Sequence, residues 1–116
     1  MSELERDLQA RVIEALTLYL GNGARGYVDR RDAGSVSRRH RSRKAAGVPD
    51  LMVVLARGRV CWIELKRKGR TSNASNPETV AAQAAWKARA LRLGHAFAVV
   101  DDVAQAVAFV SEVMSR

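Results

Sequence analysis

The feature of this sequence that most constrains its fold is a pair of apolar segments, residues 51–55 and 59–66, separated by a short turn that ends in Gly58. Segments this short, and apolar on both faces, are typical of strands in a sheet that is covered on both sides. A three-residue turn with Gly58 in the left-handed conformation would pair Leu55 with Arg59. We therefore predict a central β-hairpin with that register.

Helices and further strands are predicted on either side of the hairpin. Apolar residues recur at helical spacing over residues 4–20, before a Gly-Asn-Gly stop, and predict a first helix. Residues 26–31 alternate weakly, as a short strand would, and residues 96–100 form another short apolar run. The hairpin thus belongs to a sheet of several strands.

Two more helices are predicted in the second half of the chain. Ser75 and Glu78 have the spacing of a capping box, so a helix should begin there and end before Gly94. Either Asp101 or Asp102 would cap the last helix. The resulting order, α-β-β-β-α-β-α, predicts an α/β fold with a mixed central sheet flanked by helices. A chain of 116 residues has room for one core, so we expect a single domain spanning residues 1–116.

The charge balance indicates a polyanionic partner. Lys and Arg number 20 against 12 Asp and Glu, which gives a net charge of +8 and favours nucleic acid. Charge alone fits a ribosome-associated or merely basic soluble protein equally well. Five cations concentrated in a segment without hydrophobic pattern are candidate phosphate contacts; they are Arg38, Arg39, Arg41, Arg43 and Lys44.

The sequence predicts neither a membrane span nor export. Its longest apolar runs are far shorter than the roughly 20 residues that cross a bilayer. The amino-terminal segment is charged throughout and does not resemble a signal peptide. The single cysteine, Cys61, cannot form an internal disulfide. We therefore expect an intracellular protein.

Carboxylates and a lysine in the hairpin predict a metal site. Glu64 and Lys66 lie two residues apart on one strand, so their side chains share a face. In the expected register, Asp50 falls directly opposite Glu64. Two facing carboxylates at the end of buried strands repel each other unless a divalent cation such as Mg²⁺ satisfies both. Taken alone, a Glu-Lys pair is also common on ordinary solvated strands.

The spaced motifs together resemble the VRR-NUC family of the PD-(D/E)XK nuclease superfamily. The resemblance extends from about residue 4 to residue 101, and the combination of motifs is far more specific than any one of them. It implies a restriction-endonuclease-like fold. The motifs that carry it are Gly47-Val48-Pro49-Asp50-Leu51, then Ile63-Glu64-Leu65-Lys66, then Gln83 in the following helix.

The resemblance also implies the roles of the site residues. Asp50 and Glu64 would be metal ligands together with the backbone carbonyl of Leu65, and Lys66 would be the catalytic lysine. Gln83 would support it. Gln83 lies on an apolar helix stripe, which points it toward the sheet, although a solvated residue at the flank of the helix is the alternative.

The family has a further glutamate in the first helix, near the metal, and Glu5 is the candidate here. Glu5 shares a helix face with apolar residues, while Glu3 and Glu14 are rivals. An acidic residue in a first helical turn is nearly as well explained by the helix dipole.

The aromatic residues and histidines have simpler interpretations. Trp62 and Trp86 could stack on bases, but a buried strand and a packed helix favour core positions for both. His40 and His95 do not have a spacing that metal or triad chemistry requires, so we interpret both as bystanders.

The function that follows from the resemblance is a DNA endonuclease dependent on Mg²⁺ or Mn²⁺. Stand-alone, phage-type members resemble junction-resolving enzymes, which implies a branched substrate and a homodimer, in the cytoplasm of a prokaryote or of a phage-infected host cell. One alternative is a basic DNA-binding module that has lost catalysis. Another is a nuclease that acts on flaps, single strands or RNA.

Overall fold

The computed structural model describes residues 3–31, 47–66 and 77–116. The elements follow one another in the predicted order, with one short 3₁₀ turn, Ala56–Gly58, inside the hairpin. The predicted fold class is therefore confirmed. The helices are α1 (Glu3–Tyr19), α2 (Pro77–Arg92) and α3 (Val103–Met114), and the strands are β1 (Gly26–Arg30), β2 (Leu51–Leu55), β3 (Val60–Leu65) and β4 (Ala96–Val100).

The four strands form one mixed sheet in the order β1-β2-β3-β4. The pairs β1-β2 and β2-β3 are antiparallel, and β3-β4 is parallel. A parallel pair needs a crossover connection, and α2 lies in the segment that makes it. The sheet therefore combines an antiparallel meander, β1-β2-β3, with one β-α-β unit formed by β3, α2 and β4.

The hairpin has the predicted register. Leu51 pairs with Ile63, and the Leu55 backbone N–H donates to the Arg59 carbonyl at 2.9 Å. Gly58 has φ +71°, the left-handed conformation that the turn was expected to need. Arg57 is also left-handed, at φ +67°, which the sequence did not indicate because non-glycine residues rarely adopt that conformation.

The hydrophobic core lies between α1, α3 and one face of the sheet. In β3 the residues on this face are Cys61, Ile63 and Leu65, all fully buried. Strand side chains alternate between faces, so the even-numbered residues of β3 point to the opposite side of the sheet. The core is completed from β2, α1 and α3, chiefly by Leu51, Val53, Leu55, Leu8, Val12, Leu16, Leu20, Ala106, Val110 and Val113.

Helix α2 covers the opposite face of the sheet. Trp86 of α2 meets Trp62 of β3, with ring centroids 5.4 Å apart, and Gln83 reaches Glu64. The candidate site residues therefore lie on the side of the sheet that faces α2, away from the main core.

The helix ends partly match the expectations. Asp102, rather than Asp101, caps α3, and its carboxylate accepts the Gln105 backbone N–H at 2.8 Å. Ser75, the proposed cap of α2, lies outside the described residues. Within the described ranges, no helix is long and apolar enough to cross a membrane.

Candidate active site

Asp50 and Glu64 converge at one end of the hairpin. Extending the register of β2 and β3 by one residue places Asp50 opposite Glu64. Both are buried, with only 6% and 8% of their surfaces exposed. One carboxylate oxygen of Asp50, Oδ2, accepts the backbone N–H of Leu65 at 2.9 Å. The sheet backbone thereby fixes the orientation of this carboxylate.

Lys66 and Gln83 both approach the same oxygen of Glu64. The ammonium of Lys66 lies 3.7 Å from Glu64 Oε2, and the Gln83 amide donates to that oxygen at 3.4 Å. Lys66 itself is 6% exposed. Buried charges are costly unless paired, so the lysine and the carboxylate compensate each other. The structure thus brings Asp50, Glu64, Lys66 and Gln83 together.

The turn before Asp50 is packed tightly against α2. Gly47 has φ +81°, and a Cβ added there would lie 2.4 Å from the carbonyl carbon and oxygen of Ala82. Pro49 is fully buried, and the Arg31 N–H donates to the Asp50 carbonyl at 2.9 Å. The loop, β1 and α2 therefore jointly determine where Asp50 lies.

A groove between α2 and β4 opens onto Glu64. It encloses about 230 Å³ and is lined by Glu64, Lys66 and Gln83 together with Lys87 and Phe97. The Lys87 ammonium lies 5.7 Å from the centroid of the Phe97 ring. The sequence interpretation missed these last two residues. Lys87 could have been found because it follows Gln83 at i+4 on the same helix face.

The residues at this centre fit a divalent cation held by oxygen ligands. Asp50 and Glu64 supply two carboxylates on adjacent strands, and the Leu65 carbonyl belongs to the same strand end. In residues 3–31, 47–66 and 77–116, no group of three or more His, Cys, Asp or Glu is arranged to hold a metal. A cation here would therefore depend on these two carboxylates, a backbone carbonyl and solvent.

The role of the first-helix glutamate stays a prediction. Helix α1 packs on the opposite face of the sheet through Leu8 and Val12, and Glu5 does not join Asp50 and Glu64 in a cluster of three ligands. Helical spacing identified the face of Glu5 but not which side of the sheet would receive the helix. Of its rivals, Glu14 is exposed, and the side chain of Glu3 is outside the description.

The candidate phosphate contacts also fall outside the described residues, as does His40. These contacts are Arg38, Arg39, Arg41, Arg43 and Lys44, all within residues 32–46.

No family model matches this sequence, and no curated protein does. A solved structure of a VRR_NUC domain is similar to it, with a TM-score of 0.60 and 22% sequence identity, over 95% of this chain and 97% of that chain. A likeness at this identity concerns the fold, and it agrees with the motif resemblance found in the sequence. The chain therefore has the fold of a VRR_NUC domain.

Proposed function

We propose that this protein is a divalent-metal-dependent endonuclease that hydrolyses phosphodiester bonds in DNA. The observation that supports it best is the buried pair of opposed carboxylates, with Lys66 and Gln83 both directed at Glu64, in a nuclease fold. A hydrolytic centre needs groups that bind a metal, position a water and stabilise charge on phosphorus. These residues are of the types that such a centre uses.

The charges of the centre favour a cation. Asp50 and Glu64 carry two negative charges and Lys66 one positive charge, which leaves one net negative charge among buried groups. Desolvated like charges repel strongly, and Mg²⁺ or Mn²⁺ would be held by both carboxylates and the Leu65 carbonyl. When bound, such a metal activates a water and stabilises the charge that develops on the phosphate.

The chain's own residues orient the two carboxylates and supply the positive charge. The Leu65 N–H holds the Asp50 carboxylate in place through Oδ2. Gln83 restricts the orientation of Glu64. Lys66 would place its ammonium against the attacking water or a phosphate oxygen, where a fixed cation stabilises the transition state more than the ground state.

The substrate and assembly are proposed on chemistry and on the family resemblance. A net charge of +8 favours a phosphate backbone. A branched DNA such as a four-way junction is the substrate that the resemblance implies. Symmetric cutting of a junction needs two sites related by a two-fold axis, so we propose that the active form is a homodimer.

Cleavage assays with isosteric variants test this proposal. Labelled four-way junction, duplex, flap and single-stranded DNA, and RNA, would be incubated with Mg²⁺, Mn²⁺ or EDTA. We expect cleavage that requires metal and that falls at least about a hundredfold in Asp50→Asn, Glu64→Gln and Lys66→Met, because each removes a charge at the centre. Glu112→Gln, an exposed acid on α3, should cleave like the wild type.

The assays also separate the alternatives. Tight, salt-sensitive binding without cleavage of any substrate would favour a DNA-binding module. Preferential cleavage of RNA or flaps would preserve the nuclease and change its role. Equal losses of binding and cleavage in Asp50→Asn would contradict the assignment of Asp50 as a metal ligand, since phosphate-driven binding should persist.

A further inference from the structure

A second cavity lies beside the groove between α2 and β4, on the same face of the sheet. It encloses about 220 Å³ and is almost entirely apolar. Leu93, on its rim, is 65% exposed, so the cavity reaches the protein surface. Its lining is formed by Trp62, Trp86, Arg89, Ala90, Leu93 and His95.

Two aromatic rings of this cavity contact each other, and an arginine contacts one of them. Trp62 and Trp86 meet edge to face, with an interplanar angle of 85°. The Arg89 guanidinium lies 4.4 Å from the centroid of the Trp86 ring, a distance typical of a cation–π contact. The sequence predicted both tryptophans as core residues. Trp62 is buried as predicted, whereas Trp86 is only half-buried.

The cavity also offers a hydrogen-bond donor. The Trp62 indole N–H donates to His95 Nδ1 at 2.9 Å, so a neutral His95 carries its proton on Nε2, which remains a donor. The indole nitrogen of Trp86 is buried and has no hydrogen-bond partner among the described residues, so of these groups the His95 imidazole is the donor within reach of a ligand.

The position of the cavity relates it to the catalytic centre. Trp62 and Glu64 are two residues apart on one face of β3, about 7 Å from each other. Trp86 follows Gln83 by about one helical turn on α2. A DNA strand with a phosphate at Glu64 would therefore pass close to the cavity.

We propose that this cavity binds an unpaired nucleobase of the DNA strand that occupies the active site. A base has apolar faces that stack on indole and guanidinium groups, and an edge with acceptors to which the His95 imidazole N–H can donate. A phosphate has no apolar face to stack, so phosphate binding alone would not account for the two tryptophans. The inference rests on the proposed function, which supplies the DNA partner. It adds that the protein prefers strands with unpaired bases.

Tryptophan fluorescence is a direct measurement of this binding, because Trp62 and Trp86 are the only two tryptophans of the chain. An end-labelled single-stranded oligonucleotide would be titrated in EDTA, with binding followed by anisotropy of the label. An oligonucleotide of equal length and charge, with abasic residues throughout, is the matched ligand. We expect the normal strand to quench the tryptophans and to bind about tenfold more tightly than the abasic strand.

Two arginine variants provide the protein control. Arg89→Ala removes the guanidinium over Trp86, whereas Arg92→Ala removes the same charge from the same helix and does not alter the lining of the cavity. We expect Arg89→Ala to lose most of the preference for the normal strand, and Arg92→Ala to weaken both strands equally. Both residues are exposed, so the variants should fold, which thermal denaturation would verify.

Three results would overturn the inference: equal affinity for the two strands, saturated binding without a change in tryptophan emission, or identical effects of the two arginine variants. Because these measurements are made without metal, they can fail while cleavage persists. They can likewise succeed where cleavage is absent, which distinguishes this inference from the nuclease proposal.

Discussion

Gly47 is the residue at which backbone conformation and packing are most tightly coupled to the candidate site. Its positive φ favours glycine, and its Cα faces the backbone of α2 so closely that a side chain has no space. The contact falls at Ala82 and Gln83, so the turn that leads to Asp50 is seated beside the residue that orients Glu64. Gly47 thus acts as a positioning residue for the two carboxylates.

We expect Gly47→Ala to reduce cleavage at least about tenfold, because misplaced catalytic groups lose rate steeply with small displacements. Gly58→Ala is the matched control. Gly58 also has a positive φ, +71°, but a Cβ there meets nothing within 4 Å. Both variants should lose about 1 kcal/mol of stability from backbone strain, and Gly47→Ala should lose more, because its Cβ meets the backbone of α2. Cleavage rates measured alongside urea denaturation would contradict this role if the two variants lost activity equally.

At the scale of elements, helix α3 is capped by a side chain at each end. Asp102 caps its first turn. At its last turn, the Arg59 guanidinium donates to the carbonyls of Val113 and Met114 at 2.9 and 3.0 Å. Arg59 directly precedes β3, so the carbonyls that a helix end leaves unpaired are satisfied from the central hairpin. The Arg59 contacts therefore join α3 to the strand that carries Glu64.

Asp102→Ala should lower the free energy of unfolding by about 1 kcal/mol, because the Gln105 N–H loses its side-chain acceptor. Asp101→Ala removes the same charge one residue earlier without removing the cap. The difference between the two midpoints in thermal denaturation isolates the capping contact, at about 5 °C for a domain of this size. Equal midpoints would show that Asp102 contributes only its charge.

At the scale of the whole molecule, the ionisation and reactivity of the Cys61 thiol depend on whether the core is folded. It lies on β3, is fully buried and faces α1 and α3. Burial raises the pKa of the Cys61 thiol from 9.0 to about 11, against the opposing effects of the Arg116 and Arg59 charges. The folded protein therefore keeps the thiol protonated at pH values where the unfolded chain ionises it.

Ionisation of the thiol in the unfolded chain lowers the stability of the fold at alkaline pH. The free energy of unfolding is not reduced by this effect below pH 9, and it falls by about 2 to 3 kcal/mol in total as pH rises toward about 11. Urea denaturation of the wild type and of Cys61→Ala across this range should show the extra loss in the wild type alone. Reaction of the native thiol with a disulfide reagent should be slow and should accelerate in denaturant. Parallel pH profiles for the two proteins would contradict the shift.

The sequence by itself determined the order of the elements and the register of the hairpin. Alternation along a strand and the parity of a three-residue turn are local properties, and they are sufficient to set Asp50 opposite Glu64. The spacing of Glu64 and Lys66 likewise determined that they share a face. For the same reason, the turn conformation of Gly58 was predictable.

Only the tertiary structure decided which helix covers which face of the sheet. Helical periodicity identifies a buried stripe but not the surface that will bury it, so it could not show that α1 packs on the far face and that the helix of Gln83 packs over Glu64. The contact between Gly47 and α2 and the half-exposure of Trp86 arise in the same way. They depend on residues distant in sequence, whose approach is determined by the packing of the whole chain.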